Sequence, residues 1–419
     1  MMIGKDKLAV LCVFLVLAAS ALALKLLWAH EGASEPVASP AVAARPPLQP
    51  VDVGEFRGMT LQLHSGYRAH PYETYIDEIA QTGANTIGFV VAGYQENASS
   101  SSIFVDLRKT PDDVRLVEII KYACKKGLRV TLMPIVLLEN ARQGEWRGKL
   151  APESWDHWWD DYASFVFHYA ELADAGGVEV FIIGSELVST EKYTERWREV
   201  IRKIRERFHG LLSYSANWDH YRPIEWWDDL DMIGMTTYND LTGGDEPTVE
   251  RLLEAWKPLR DGILQWQAGI NRPILFTEVG WPNQTTCAQH PWNYYLSPDK
   301  PAPVFQANCF DAFFTTWIDE PAVAGFLVWE WRNYPGQKVG PEDTSYVPTD
   351  KPAMDVIRKY FQAPSPREKD QPAIAADGNE PAFAADGDAE PAIAADKDEP
   401  AVTADGQDGA TIEPAPPTP

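Results

Sequence analysis

Arg272-Pro-Ile-Leu-Phe-Thr-Glu-Val-Gly-Trp-Pro282 is the stretch whose reading decides the fold. Its apolar run, Ile274 to Phe276, is bounded by Pro273 on one side and Gly280-Trp-Pro282 on the other, which makes it a buried strand rather than a helix. Glu278 stands at the carboxyl end of that strand. Side chains alternate along a strand, so Phe276 and Glu278 are expected to share one side. A carboxylate on a buried strand is costly unless it is paired or used. Taken alone, Glu278 reads more readily as half of a structural ion pair than as a catalyst; the rest of the chain decides between the two.

Working outward, strand-like runs recur at Gly58–Leu63, Thr86–Val91, Arg129–Ile135, Val178–Ile183, Leu211–Ser215, Met232–Thr236 and Gly325–Trp329. Helical patterns fill the gaps at Tyr72–Gln81, Pro111–Lys126, Trp155–Ala175, Glu191–Phe208, Thr248–Ala268, Val304–Ile318 and Ala353–Phe361. Buried strands alternating with helices predict a parallel sheet with helices outside. Eight such units in one block predict an α/β fold of the (β/α)8 TIM-barrel type. A doubly wound nucleotide-binding sheet is disfavoured, because no glycine-rich phosphate fingerprint follows the first strand. Helix-to-strand links such as Lys126-Gly-Leu128 and His209-Gly210 are short, whereas strand-to-helix links such as Leu137–Ser154 and Trp281–Pro303 are long. Long loops therefore gather at the carboxyl ends of the strands, where barrel enzymes build their sites.

The fourth strand runs Val178-Glu-Val-Phe-Ile-Ile-Gly-Ser-Glu-Leu187 and again ends in a carboxylate, Glu186. By alternation Ile182, Gly184 and Glu186 share a side. Strands four and seven face each other across an eight-stranded barrel, so Glu186 and Glu278 can meet over its mouth. Two carboxyl groups flanking a sugar ring are what glycoside hydrolysis requires. The competing reading of Glu186 is an acidic residue at a helix start, answering the helix dipole.

Gly184-Ser-Glu186, Thr277-Glu-Val-Gly-Trp281 and Gly325-Phe-Leu-Val-Trp329 together resemble the clan A retaining glycoside hydrolases, and among them glycoside hydrolase family 113, which includes endo-β-mannanases. The resemblance spans roughly Phe56 to Phe361. It implies that Glu186 is the general acid/base, Glu278 the nucleophile, Tyr238 a hydroxyl donor to that nucleophile and Trp329 the aromatic floor beneath the sugar. Trp218, Trp281 and Trp331 also lie at strand ends and are candidates for further sugar subsites, since an apolar sugar face stacks on an indole. The clan places Asn directly before the acid/base, to bind the sugar 2-hydroxyl; here Ser185 stands there, with Asn217 or a water as a substitute. If Trp329 faces the substrate, the third carboxylate, Glu330, should turn away. Trp158, Trp159, Trp197 and Trp317 are assigned to packing; Trp226, Trp227 and Trp292 are left open.

Composition sets the boundaries. The 419-residue chain carries a formal charge of −24, which argues against nucleic acid as a partner. Between Pro366 and Pro419 there are 13 acidic residues against 3 basic ones, so −10 of that charge lies in the tail. Lys5 and Lys7 precede an apolar run from Leu8 to Leu24, a pattern of export. The run is either cleaved near Ala21-Leu-Ala23 or kept as a membrane anchor through residues 8–29. The expected organisation is an export segment over residues 1–29, an Ala/Pro-rich linker over 30–53, the barrel over 54–362 and a disordered acidic repeat tail over 363–419. Export places the protein in the periplasm, outside the cell, or at the outer face of the inner membrane. There Cys287 and Cys309 could form one disulfide across a loop. No metal-ligand spacing appears among the Cys or the 8 His, and no cofactor is expected. The reading is an exported, retaining endo-β-glycosidase acting on a mannan or related β-linked poly- or oligosaccharide. A transglycosylase or another clan A glycanase would use the same pair, and a non-catalytic polysaccharide-binding envelope protein would need neither Glu.

Overall fold

The structure, a computed structural model, describes residues 55–293 and 300–364. The export segment, the linker and all but the first residues of the acidic tail lie outside the described residues. Eight strands form one closed, wholly parallel barrel: β1 (Phe56–Gln62), β2 (Thr86–Gln95), β3 (Arg129–Leu138), β4 (Val180–Ser185), β5 (Leu211–Ala216), β6 (Ile233–Thr236), β7 (Ile274–Val279) and β8 (Val323–Val328). Each strand pairs with the next, and β8 closes on β1. This is the (β/α)8 TIM barrel expected from the alternation.

Seven α-helices surround it among the described residues: α1 (Tyr72–Gln81), α2 (Asp113–Lys125), α3 (Trp155–Gly176), α4 (Thr194–Arg205), α5 (Val249–Ile270), α6 (Pro303–Trp317) and α7 (Pro352–Phe361). Their ends follow local chemistry. Asp112, Ser154 and Thr248 cap α2, α3 and α5 by accepting from the backbone N–H of Arg115, His157 and Arg251. Gly177 and Asn271 stop α3 and α5 in the left-handed conformation, and Pro opens α6 and α7 at the first helical position. Between β5 and β6 there is only a single 3₁₀ turn, Trp227–Asp229. Trp226 and Trp227 fill that gap: Trp226 stacks on Trp197 at 4.7 Å between ring centroids, and Trp227 meets Trp266 at 6.3 Å. Both open tryptophans are thus core. Removing a ring such as Trp197, which also packs on Trp159 and Tyr214, costs about 3–5 kcal/mol.

Apolar side chains divide into two layers. One lies between strands and helices, including Phe89, Leu132, Phe181, Phe276 and Phe326. The other fills the barrel and its mouth, including Phe56, Met133, Ile182, Leu275, Tyr238 and Trp329. The alternation that sorts residues between these layers is broken in β4, β7 and β8, and the first two breaks bear on the site. The register of β4 against β5 slips between Ile182 and Ser185. The register of β7 slips against β6, where Met235 pairs Phe276 but Thr236 pairs Glu278, and against β8 between Phe276 and Val279. A bulge of this kind re-aims every side chain beyond it. Phe276 therefore points outward, onto Phe313 and Trp317, while Glu278 points into the mouth; the expectation that they share a side is wrong. Gly184 likewise faces outward, where a Cβ would lie 2.5 Å from the Tyr162 hydroxyl of α3, and Ser185 turns inward in its place.

Candidate active site

Glu186 and Glu278 meet at the carboxyl end of the barrel. Both are buried, at 7 % and 3 % exposure. A guanidinium joins them: Nη2 of Arg147, on the 3₁₀ turn Arg147–Lys149 between β3 and α3, lies 2.7 Å from Glu186 Oε2 and 4.0 Å from Glu278 Oε1. Those two oxygens are thus no more than about 7 Å apart, compatible with the ~5–5.5 Å between carboxyl groups of retaining glycosidases and below most of the ~6.5–9.5 Å of inverting ones. Glu186 itself sits just past its strand with φ +52°, a left-handed conformation uncommon for a residue with a Cβ. Its backbone N–H is fixed to Ser215 O, and the next N–H, of Leu187, donates to the Tyr214 hydroxyl. Tyr214 in turn donates to buried Glu191, which His220 also meets at 2.6 Å. This chain of bonds anchors the turn that carries Glu186.

Each carboxylate has its own donors. Glu278 accepts from Tyr238 Oη at 2.9 Å and from Ser185 Oγ at 3.3 Å. Glu186 accepts from Arg147 and from Thr236 Oγ1 at 3.2 Å. Burial pushes the proton affinity of both above the ordinary carboxylate range. For Glu278 the neighbouring Glu186 charge adds to burial, and Arg147, Tyr238 and Ser185 oppose it. For Glu186 the Arg147 charge and the Thr236 hydroxyl oppose burial, while Asp219 reinforces it. Two carboxyl groups this close titrate as one unit. Burial, chiefly, holds the Tyr238 phenol far above its usual range, so it is a neutral donor.

The remaining candidates separate cleanly. Trp329 lies in the inner layer with Tyr238 and Tyr346, and Trp218 and the previously open Trp292 pack against that layer from partly exposed positions. Asn217 is buried near the mouth, but its amide is engaged by Asp219 Oδ1 at 2.7 Å. Trp281 is wholly enclosed against Phe310 and Phe313 of α6, and Trp331 packs in the outer layer with its indole N–H on Glu78 of α1. Neither can stack on a sugar in the mouth; a strand-end position does not tell which way an indole turns. Glu330 does not turn away as expected. It accepts from Gln62 Nε2 at the end of β1, and Gln62 Oε1 meets His64 Nε2 at 2.7 Å. Although part of its surface stays open, the dense surroundings push the Glu330 carboxyl up to about 7. Cys287 and Cys309 are both buried and unbridged, with their thiols in contact.

Arg147, Thr236 and Gln62, the partner of Glu330, are what sequence reasoning missed. The length of the Leu137–Ser154 link was the only sign that Arg147 could reach the mouth. The resulting arrangement offers one carboxyl group aimed by two hydroxyls, a second held by a cation and a hydroxyl, and an indole floor beside them.

The model of Glycoside Hydrolase Family 113 matches residues 60–351. Among solved structures, the GH113 β-mannanase AaManA from Alicyclobacillus acidocaldarius, in complex with ManMIm, is similar at 28 % identity and TM-score 0.65, covering 74 % of this chain and 98 % of its own. A structure of a GH113 β-1,4-mannanase is similar at 25 % identity and TM-score 0.66, covering 74 % of this chain and 100 % of its own. The apo β-glucuronidase from Ruminococcus gnavus shares the fold alone, at 13 % identity and TM-score 0.51, over 74 % of this chain and 50 % of its own. No curated protein matches the chain.

Proposed function

The chain belongs to glycoside hydrolase family 113 and is a β-mannanase-like glycoside hydrolase, and from that premise we propose that it cleaves a mannan or related β-linked polysaccharide internally, by double displacement. In this reading Glu278 attacks the anomeric carbon and forms a glycosyl ester as the bond to the leaving sugar breaks. Glu186 gives its proton to the departing oxygen, then takes one from the water that hydrolyses the ester. Tyr238 and Ser185 keep Glu278 aimed and favour its ionised form. Trp329 carries the apolar sugar face, and Trp218 extends that surface.

The observation that carries the proposal is the approach of the two carboxyl oxygens on one guanidinium nitrogen, at the mouth of the barrel. Export is part of the same reading, since a polysaccharide is met outside the cytosol; it rests on the Lys5-Lys7 and Leu8–Leu24 pattern. The test is trapping with an activated fluoro-sugar followed by peptide mapping, alongside product release from a panel of soluble β-glycans. A label on Glu278, and release lost in Glu278→Ala, are expected. A label on another residue, or equal release by both proteins, overturns the proposal.

A further inference from the structure

Arg147 is the group in this site whose presence the two-carboxylate reaction does not itself demand. Its side chain is 6 % exposed, and the same nitrogen that binds Glu186 at 2.7 Å stands 4.0 Å from Glu278. A buried cation so placed is not neutral toward the reaction, because negative charge moves between these two carboxylates as it proceeds. Before attack, the charge is on Glu278, the farther of the two. In the glycosyl-enzyme, Glu278 is an uncharged ester and Glu186, having given up its proton, carries the charge at the nearer position. The first half-reaction therefore brings the charge toward the guanidinium, and the second takes it away again.

We propose that Arg147 is a positioning residue that stabilises the charge distribution of the glycosyl-enzyme, so favouring formation of the covalent intermediate and slowing its hydrolysis. The proposal rests on the double-displacement reading of the preceding subsection. The geometry adds a second role. With Oε2 of Glu186 taken by Arg147, the proton sits on Oε1, the oxygen that meets Thr236 Oγ1. Arg147 thereby selects the oxygen that delivers the proton to the leaving group, and later accepts one from water.

The other charged and titratable groups around Glu186 cannot substitute for this cation. Asp219 in the β5–β6 link, Glu278 on β7 and Glu191 in the β4–α4 link are acidic, and Tyr214 and Tyr238 are neutral phenols. His220 is spent on Glu191. Among the described residues, Arg147 is thus the cation that faces the pair.

The test compares the native protein with Arg147→Met and Arg147→Lys. Removing the cation lets both carboxyl groups hold protons to higher pH. The bell-shaped profile of kcat/KM should move in the alkaline direction by about 1–3 pH units in Arg147→Met, and Arg147→Lys, which keeps the charge, should restore most of the native profile. With a dinitrophenyl β-mannoside or β-mannobioside, whose leaving group needs little protonation, the native enzyme should release a burst of phenol equal to the enzyme present. In Arg147→Met that burst should shrink or vanish, as formation of the intermediate slows relative to its hydrolysis. A folded Arg147→Met with native profile and native burst overturns the proposal. So does the absence of any burst in the native enzyme, a measurement that needs no variant. If fluoro-sugar labels Glu278 but Arg147→Met behaves as native, only this inference fails; if no label reaches Glu278, the double-displacement reading itself fails.

Discussion

Tyr238→Phe isolates a single oxygen. The ring sits in the inner layer, 6.2 Å from Tyr346 between centroids, and Phe fills the same space, so the fold should be unaffected. What is lost is the hydroxyl that donates to Glu278 Oε2 at 2.9 Å. Hydrogen bonds to charged groups contribute about 1.5–3 kcal/mol, and at about 1.4 kcal/mol per tenfold the loss predicts kcat/KM lowered roughly 10- to 150-fold. Ser185 Oγ, at the longer distance of 3.3 Å, is the weaker donor, and Ser185→Ala should cost less. The pH profile gives the sign. Tyr238 favours the ionised form of Glu278, so without it Glu278 takes up a proton at higher pH, and activity that needs the carboxylate is lost earlier as pH falls. The assay is the pH dependence of kcat/KM on a soluble mannan, with near-ultraviolet circular dichroism to check packing. A Tyr238→Phe enzyme with unchanged kcat/KM and an unmoved acid limb would refute the argument that this hydroxyl aims and charges Glu278.

Three more expectations follow from the same geometry. Burial, with the neighbouring Glu186 charge second, raises the proton affinity of Glu278 above the ordinary carboxylate range, so the folded pair of glutamates shares a proton that the unfolded chain has released, and stability falls as pH rises to where the pair must lose it. Glu278→Gln should therefore raise the melting temperature by more at about pH 9 than at about pH 4, read by calorimetry. Glu186→Gln cannot protonate a leaving group; release from mannan should drop about 10²- to 10⁴-fold, and release from a dinitrophenyl glycoside far less. Asp343→Ala strands the enclosed ammonium of Lys351, now 2.8 Å from the Asp343 carboxylate, in the loop that carries Tyr346. It should cost about 3–5 kcal/mol in denaturant unfolding, partly recovered by adding Lys351→Met.

Most of the barrel is legible in the sequence because its signals are local. Short apolar runs, most of them bounded by Gly or Pro, mark all eight strands, and helical patterns fill the gaps between them. Both glutamates are legible for the same reason, as strand-end residues. Their orientation is not. Alternation assumes an uninterrupted pleat, and it puts Phe276 and Glu278 on one side, whereas the bulge in β7 sends them to opposite layers. Trp281 and Trp331 fail on the same ground, since nothing in the local pattern separates an indole facing a helix from one facing the mouth. Arg147 was invisible for another reason. It reaches the site from a long link, and its value comes wholly from side chains 39 and 131 positions away in sequence, which only the closed barrel brings together.

The slips in β4 and β7 make the aim of each glutamate a property of a few residues rather than of the barrel. Below them, the side chains need only fill volume, so those lower layers can drift in sequence or be rebuilt without turning either carboxylate. Above them, the dependence is reversed. Were the slip in β7 drawn out into a regular pleat over the same residues, Glu278 would fall on the side of Phe276, leaving a closed barrel with that carboxylate in the helical shell and half of the reacting pair facing the wrong way.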